Sequence, residues 1–401
     1  MALQSVSDIG PNKQLVPNSE AARVNAAIAN RRLFDGDLSQ LKIEALDNAT
    51  PAMQFNWFRR VATFYPEFML AERPAILVEG NPRMEAAIED MSRQLFITLQ
   101  IANVYMTSIS AGVITTSPMD PTSFVAYPHD SHFEVVDSVG RVTHDIFLNR
   151  RKVSAEELIE VLVYAVDGRD SSWKQYNYNA GQIGEFKRNL PLANRVGRQA
   201  VMLQDQLDPT SLFDDIKNLI TVMSNVATGI ARREKRNANP HLFGPEGMLA
   251  KDANGNAVIR REGMFLPLQD GDPTPGYLFW DSNSEAGQWL FTKAEQALFN
   301  FTGLSPILFD PNQSIGNVTG RALERAMIPF RSRVSSYARA NEAALLDILR
   351  IWNLNRLTTG EEVFQYFDGD VEVDWRYGDI FIDEVVTNAE TTDTGTDSPP
   401  V

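Results

Sequence analysis

Apolar residues recur at the spacing of a single helix face in several parts of the chain, and two such stretches bracket residues 237–280. In the first, Leu212, Ile216, Leu219, Ile220, Met223, Val226 and Ile230 form one stripe. Asp208-Pro209 ahead of it supplies a capping carboxylate and a proline suited to the first helical position. A helix over about 209–236 is predicted, with Asp214 and Asp215 near its start and Arg232, Arg233, Lys235 and Arg236 near its end, as the helix dipole favours. The second stretch, Ser284 to Phe301, carries Trp289, Leu290, Ala294, Ala297, Leu298 and Phe301 at near-helical spacing. Ser284 can cap it, and Gly303 stands where a left-handed stop is expected. A third and longer stretch runs from about Thr319 to Trp352. Pro329 lacks the N–H that would reach the carbonyl of Arg325, so a kink or break is expected there. Between the second and third, Leu304 to Asn317 is rich in Pro, Gly, Asn and Ser and reads as loop.

The remaining pattern is mixed. Residues 1 to 17, with Gly10-Pro11 and Pro17, read as an arm or loose lead-in. A helix is expected from Ser19, its candidate cap, through Arg32 to a stop near Gly36. Another runs from Met53 through Tyr65 and should end near Pro66, its aromatics Phe55, Trp57, Phe58, Phe64 and Tyr65 serving as core. Pro74 to Val78 reads as a strand, Pro82 to Ala111 as a helix, and Gly112 to Thr116 as a strand. From Phe124 to Phe186 short strands dominate: Val142, Ile146 and Leu148 alternate with polar residues after a turn at Gly140. Leu158 to Val166 stays open, since Glu156-Glu157 suits a helix start and the β-branched run suits a strand. Asn254-Gly255, within Lys251 to Ile259, is a hairpin signal. Val371 to Trp375 alternates as a strand, and Thr391 to Val401 reads as a disordered tail.

Charge changes the picture at one end. Of the formal charge of −15, residues Glu361 to Val401 carry −11, with 12 acidic residues against Arg376, leaving −4 on the rest. A tight DNA grip needs clustered Lys and Arg, and the chain as a whole does not read as a tight DNA binder. The 401 residues contain no cysteine, which removes disulfide and thiolate chemistry. No secretory leader and no membrane-spanning run is expected, so the Asn317-Val-Thr319 sequon carries no glycosylation meaning.

The order of Phe301-Thr-Gly-Leu-Ser-Pro306, a polar loop, then Thr319-Gly-Arg-Ala-Leu-Glu324 opening a long helix resembles the tailed-phage portal proteins. So does a long helix followed by a hairpin-bearing excursion and a second helix. The helix from Met53 before Pro74 to Val78 is similar to an early helix of that family, and the middle strands resemble its β-rich wing. The resemblance implies an α+β, mainly helical chain. It would comprise an N-terminal arm and wing (1–208), a first stem helix (209–236), a small β-containing clip (237–280) and a second stem helix (281–303). A tunnel loop (304–318), a long kinked wing helix (319–353), a C-terminal wing strand region with minimal or absent crown (354–386) and an acidic tail (387–401) would follow.

By that resemblance the chain forms a ring of twelve copies at one capsid vertex, through which double-stranded DNA is packaged and ejected without sequence specificity. Its partners would be sister copies, the terminase large subunit, the major capsid protein and a neck adaptor, with no membrane and no cofactor. It would reside in the virion and, during assembly, in the host cytoplasm. Asp310, Asn312, Gln313, Ser314 and Asn317 would line the tunnel loop. Asn254, Gly255, Arg260 and Arg261 would form the clip's docking surface.

Candidate chemistry outside that scheme is sparse. The chain has no phosphate loop of the GxxxxGK[ST] type and no HExxH motif, and no catalytic residue is assigned. His129 and His132 sit three apart, yet a zinc site without cysteine needs carboxylates too, and ordinary loop histidines are the plainer reading. Asp368, Asp370, Glu372 and Asp374 have period two. On a strand they would share one face, as in a two-metal nuclease or simply as a solvated surface. Asp252, Asn254 and Asn256 imitate the start of a calcium loop without its later Glu, and a turn explains them better. Arg232, Arg233, Lys235 and Arg236 suit either DNA or partner contact or a solvated helix end. Arg321, Arg325, Arg331, Arg333 and Arg339 are spread around their helix, which favours salt bridges between subunits, with a minority near the channel. The rival functions are another virion structural protein, such as a neck adaptor or scaffold, and a metal-dependent nuclease.

Overall fold

The computed structural model describes residues 3–43, 53–153, 156–179, 181–205, 210–238, 241–245, 265–268, 276–278, 285–304, 320–366 and 368–375. The chain combines helices with several antiparallel sheets, an α+β arrangement. It divides into two compact units. One comprises Met1–Asp37, Asn56–Asp215 and Thr302–Val401; the other comprises Leu38–Phe55 and Ile216–Phe301.

In the larger unit helix α1 (Ala21–Asp35) ends at Gly36, whose φ of 92° is the left-handed stop that the sequence predicts. Ser19 is not its cap: the helix starts later, after Glu20, which makes no side-chain cap bond. Helix α2 (Trp57–Met69) runs past the expected stop and contains Pro66. A proline there strands the carbonyl of Ala62. Helix α3 (Pro82–Ile109) supplies the missing donor, because Thr107 Oγ1 bonds that oxygen at 2.7 Å. α3 itself is capped by Asn81, which accepts from Met84 N, and has Pro82 in its first turn. Met84, Ile88, Met91, Leu95, Leu99, Ala102 and Met106 are buried at three- and four-residue steps along it.

Strand β1 (Ala75–Val78) pairs antiparallel with a late strand described below. Strand β2 (Ala111–Thr116) lies between β3 (Phe124–Pro128) and, far along the chain, β9 (Ala200–Gln204), both antiparallel to it. Every residue of β2 is buried. Gly112 permits this: a Cβ there would stand 2.3 Å from the carbonyl oxygen of Ala102, so the strand meets α3 through bare backbone.

Strands β4 (His132–Val136), β5 (Val142–Val153), β6 (Glu156–Ala165), β7 (Ser172–Asn179) and β8 (Gln182–Asn189) form an antiparallel meander in sequence order. The open question at Leu158 to Val166 resolves as strand. Ile159, Val161 and Val163 join one apolar cluster, while Leu162 and Tyr164 join another. Both faces of β6 are therefore covered, which is why its apolar run does not alternate with polar residues.

The arm is not loose. Leu3 N bonds Glu134 O and Val136 N bonds Leu3 O at one edge of the meander; Asn12 N bonds Ile183 O at the other. Leu3 and Ile9 are buried in the cluster on the sheet face between them. Burying these side chains works against the entropy lost in ordering the segment.

Helix α6 (Gly320–Thr359) passes Pro329 as one helix and ends beyond Trp352, the end that the sequence pattern predicts. Near its first turns Tyr65 stacks on Phe330 with centroids 5.4 Å apart, and the Tyr65 hydroxyl donates to the carbonyl of Thr302. Gly303, at φ 71°, leaves room for that hydroxyl. Strand β13 (Val371–Asp374) closes the unit by pairing with β1.

The second unit holds most of helix α4 (Leu212–Ala238) and nearly all of α5 (Glu285–Thr302). α4 starts after the predicted Pro209, with Ser211 Oγ accepting from Phe213 N at 3.1 Å. Between α4 and α5, strands β10 (His241–Pro245), β11 (Phe265–Leu268) and β12 (Gly276–Leu278) form one sheet in the order β11-β10-β12. β10 runs parallel to β11 and antiparallel to β12. Met53 and Phe55 pack here as well: Met53 N bonds Thr228 Oγ1 at 3.0 Å, and Phe55 meets Phe291 edge-on at 5.7 Å.

Candidate functional site

Two features stand out, an apolar surface on α5 and a buried ionic cluster in the meander. On α4 the predicted stripe is in place, with Leu212, Ile216, Ile220 and Met223 buried and Leu219, Val226 and Ile230 half-buried. Against it lies α5. Gly287 allows close approach there, since an added Cβ would be 3.3 Å from Ile230 Cγ1. The predicted α5 stripe divides. Ala294 and Leu298 are buried, whereas Trp289 is 63%, Leu290 42% and Phe301 56% exposed. Among the described residues, α5 thus carries both buried apolar side chains and large exposed ones.

The candidate contact residues disperse. Arg232 is half-buried and Arg233 exposed near the end of α4, with Lys235 and Arg236 in its last turns. Arg321 opens α6 and Arg325, exposed, follows one turn later. Arg331 and Arg339 are also exposed, while Arg333 donates to Tyr337 Oη at 3.3 Å. Asp310, Asn312, Gln313, Ser314 and Asn317, and likewise Asn254, Gly255, Arg260 and Arg261, lie outside the described residues, as do Asp252, Asn256 and Ser284.

The carboxylate run near the C-terminus does not form one strand face. Asp368–Asp370 is a 3-10 turn and the strand starts at Val371, so only Glu372 and Asp374 alternate on β13. A turn breaks the period-two alignment on which a nuclease reading depends.

Of the two histidines, His132 is not a loop residue, whereas His129 lies in a short turn. His132 is on β4, with Nε2 2.9 Å from Asp145 Oδ1 and both side chains 1% exposed. Register places Glu134 directly opposite Asp145, a like-charged cross-strand pair that is unfavourable by itself. Arg198 resolves it: its Nε and Nη2 each reach Asp145 at 3.1 Å, and Nη2 also donates to Glu134. Burial alone would raise the Asp145 pKa, but hydrogen bonds from His132 and Arg198 hold it below the usual value. His132, Glu134 and Asp145 have a spacing that a metal could bridge. The guanidinium of Arg198 already supplies the positive charge at both carboxylates, so these residues do not fit a cation as they stand.

His129, in the turn before β4, is held neutral. Burial, and then the nearby Arg23 and His132, push its pKa down to about 3. Arg23 donates to the carbonyls of His129 and His132. Sequence reading missed Arg198, which lies far from His132 in the chain; the available signal was alternation along β4 and β5, which puts Glu134 and Asp145 on buried strands.

No family model matches this sequence, and no curated protein is significantly similar to it. Among solved structures, a chain from the neck of an empty GTA particle computed with C6 symmetry is similar over 93% of this chain and 91% of that one. The identity is 11% and the TM-score 0.45, a likeness that bears on neither family nor activity.

Proposed function

We propose that the chain is a portal subunit, one copy in a closed ring at a single vertex of a tailed-phage capsid. Double-stranded DNA passes through the channel during packaging and leaves by it during ejection. The observation that carries this reading is the exposure of Trp289, Leu290 and Phe301 on α5, the helix that also buries Ala294 and Leu298. Exposed apolar side chains of this size suit a contact surface, and head-to-tail contacts around a closed ring give every copy the same cover.

The order of elements supports the same reading. α4 and α5 flank the β10–β12 sheet, as stem helices flank a clip in the family that the sequence resembles. In this scheme the clip, with Asn254, Gly255, Arg260 and Arg261, docks the terminase large subunit and later a neck adaptor, while the wing meets the major capsid protein. The loop over 304–318 projects into the channel. Arg232, Arg233, Lys235, Arg236, Arg321 and Arg325 are repeated by symmetry as rings of charge or as contacts between subunits. Their effect on DNA is independent of base sequence. The role is passive, without catalysis or cofactor.

Negative-stain imaging of the purified chain tests this directly. Rings with a central hole are expected, twelve-fold by the family's pattern. Filled monomers at every concentration would overturn it. Deleting Asn312 to Gly316 should leave ring assembly intact while impairing DNA packaging.

A further inference from the structure

The meander ends on β8, and among the described residues only the beginning of that strand is covered. Asn12 N bonds Ile183 O at 2.8 Å, Ile183 N bonds Lys13 O at 3.1 Å, and Leu15 N bonds Gly181 O at 3.0 Å. The chain's own arm thus shows that this edge accepts an added strand. From Gly184 to Asn189, among the described residues, no further backbone bond reaches the outer side. About 20 Å of ladder is left open.

The side chains along this stretch have a definite character. Phe186 is half exposed and meets Tyr176 edge-on at 5.8 Å. Lys187 has a surface ion pair with Glu156, Arg188 donates to the neutral Gln175, and Lys174 lies opposite Asn189. Glu185 is the one acid among residues 184–189. The edge is therefore net cationic with one aromatic patch, and suits an extended segment that is acidic and apolar together.

We propose that this edge is a strand-addition site and that its occupant is the chain's own segment Ile380-Phe-Ile-Asp-Glu-Val-Val-Thr387. That segment lies outside the described residues, beyond Trp375. It is the β-branched and aromatic run of the otherwise polar C-terminal stretch, a composition suited to a pleated edge. Asp383 and Glu384 stand in it without a cation, matching Lys187 and Arg188. Its length covers the open residues. Backbone bonds would supply the affinity and the alternating side chains the register. The proposal stands apart from the portal reading, because the segment can come from the same copy or from a neighbour.

The absence of native cysteine makes cross-linking clean. Full-length chains carrying Arg188→Cys with Asp383→Cys or Glu384→Cys are oxidised and run on non-reducing gels, with Arg188→Cys plus Asp397→Cys as the distant control. A disulfide in the near pairs and not in the control is expected. A faster-migrating monomer marks the segment of the same copy, and a dimer marks that of a neighbour. Amide exchange gives an independent readout: Ile382→Pro should speed exchange at the outward amides of residues 184–189 by about tenfold or more. Lysine on an edge can instead keep strands away. Equal linking in the control, or no link together with unchanged exchange, would mean that Lys187 and Arg188 guard an edge that stays open, and would overturn the proposal.

Discussion

Asn103 on α3 and Asn341 on α6 bond each other reciprocally, each Nδ2 2.8 Å from the other's Oδ1. Both side chains are fully buried, and each also donates within its own helix, to Leu99 O and Tyr337 O. The pair fixes the register of two long helices at one point. Replacing one partner leaves an amide without its mate, so Asn341→Leu should cost about 1–3 kcal/mol. Asn103→Leu with Asn341→Leu should cost clearly less than the sum of the two single changes. Urea titrations of the four chains measure that difference, and strict additivity would show that the amides do not act as a pair.

Pro66 and Thr107 make a second testable pair. Thr107→Val removes the donor to Ala62 O and should cost about 1–2 kcal/mol. In a Pro66→Ala background the backbone N–H of residue 66 can take that carbonyl, so the same change should cost less than half as much. Equal costs in the two backgrounds would show that the hydroxyl matters for some other reason.

The buried His129 sets a pH dependence whose direction can be worked out. Its folded pKa lies near 3 against an ordinary 6.5. Between those values the unfolded chain binds a proton that the folded chain refuses, so stability is full above about 6.5 and is lost as pH falls toward 3. From pH 7 to pH 5 the loss should be on the order of 2 kcal/mol, and His129→Gln should flatten the profile of Tm against pH over that interval. Asp145 acts elsewhere: its pKa is depressed below 3.8, so its contribution is present above that value and fades only in stronger acid. A wild-type Tm unchanged between pH 7 and pH 5 would contradict the assignment to His129.

Trp289 tests the surface on α5. Because its side chain is largely exposed, Trp289→Glu should change the stability of the folded chain by about 0.5 kcal/mol or less. It should nevertheless abolish ring formation in sedimentation velocity. Rings that persist in both Trp289→Glu and Leu290→Glu would place the contact between copies elsewhere.

Local signals in the sequence were legible where neighbours in the chain decide the outcome. Gly36 and Gly303 stop their helices because a left-handed residue is needed there, and α3 follows from Asn81-Pro82 and the spacing of its apolar residues. Failures came where a distant residue changes the local rule. Pro66 reads as a breaker until Thr107 is brought to Ala62, and the polar arm reads as loose until Leu3 and Ile9 find the meander. The cluster of His132, Asp145 and Arg198 was illegible for the same reason, since its cation arrives from the segment before β9. On α5, periodicity marked the apolar positions correctly and could not tell which of them the chain itself would cover.

The arm also bears on how the protein is made. Asn12 leaves the ribosome long before its backbone partner Ile183, so the arm must wait, undocked there, while the strands of the meander are synthesised. Contacts so distant in sequence form slowly. During that interval the outer strands of the newborn sheet lie bare, and chaperone capture or slow translation upstream of residue 183 should decide how many chains reach the finished state.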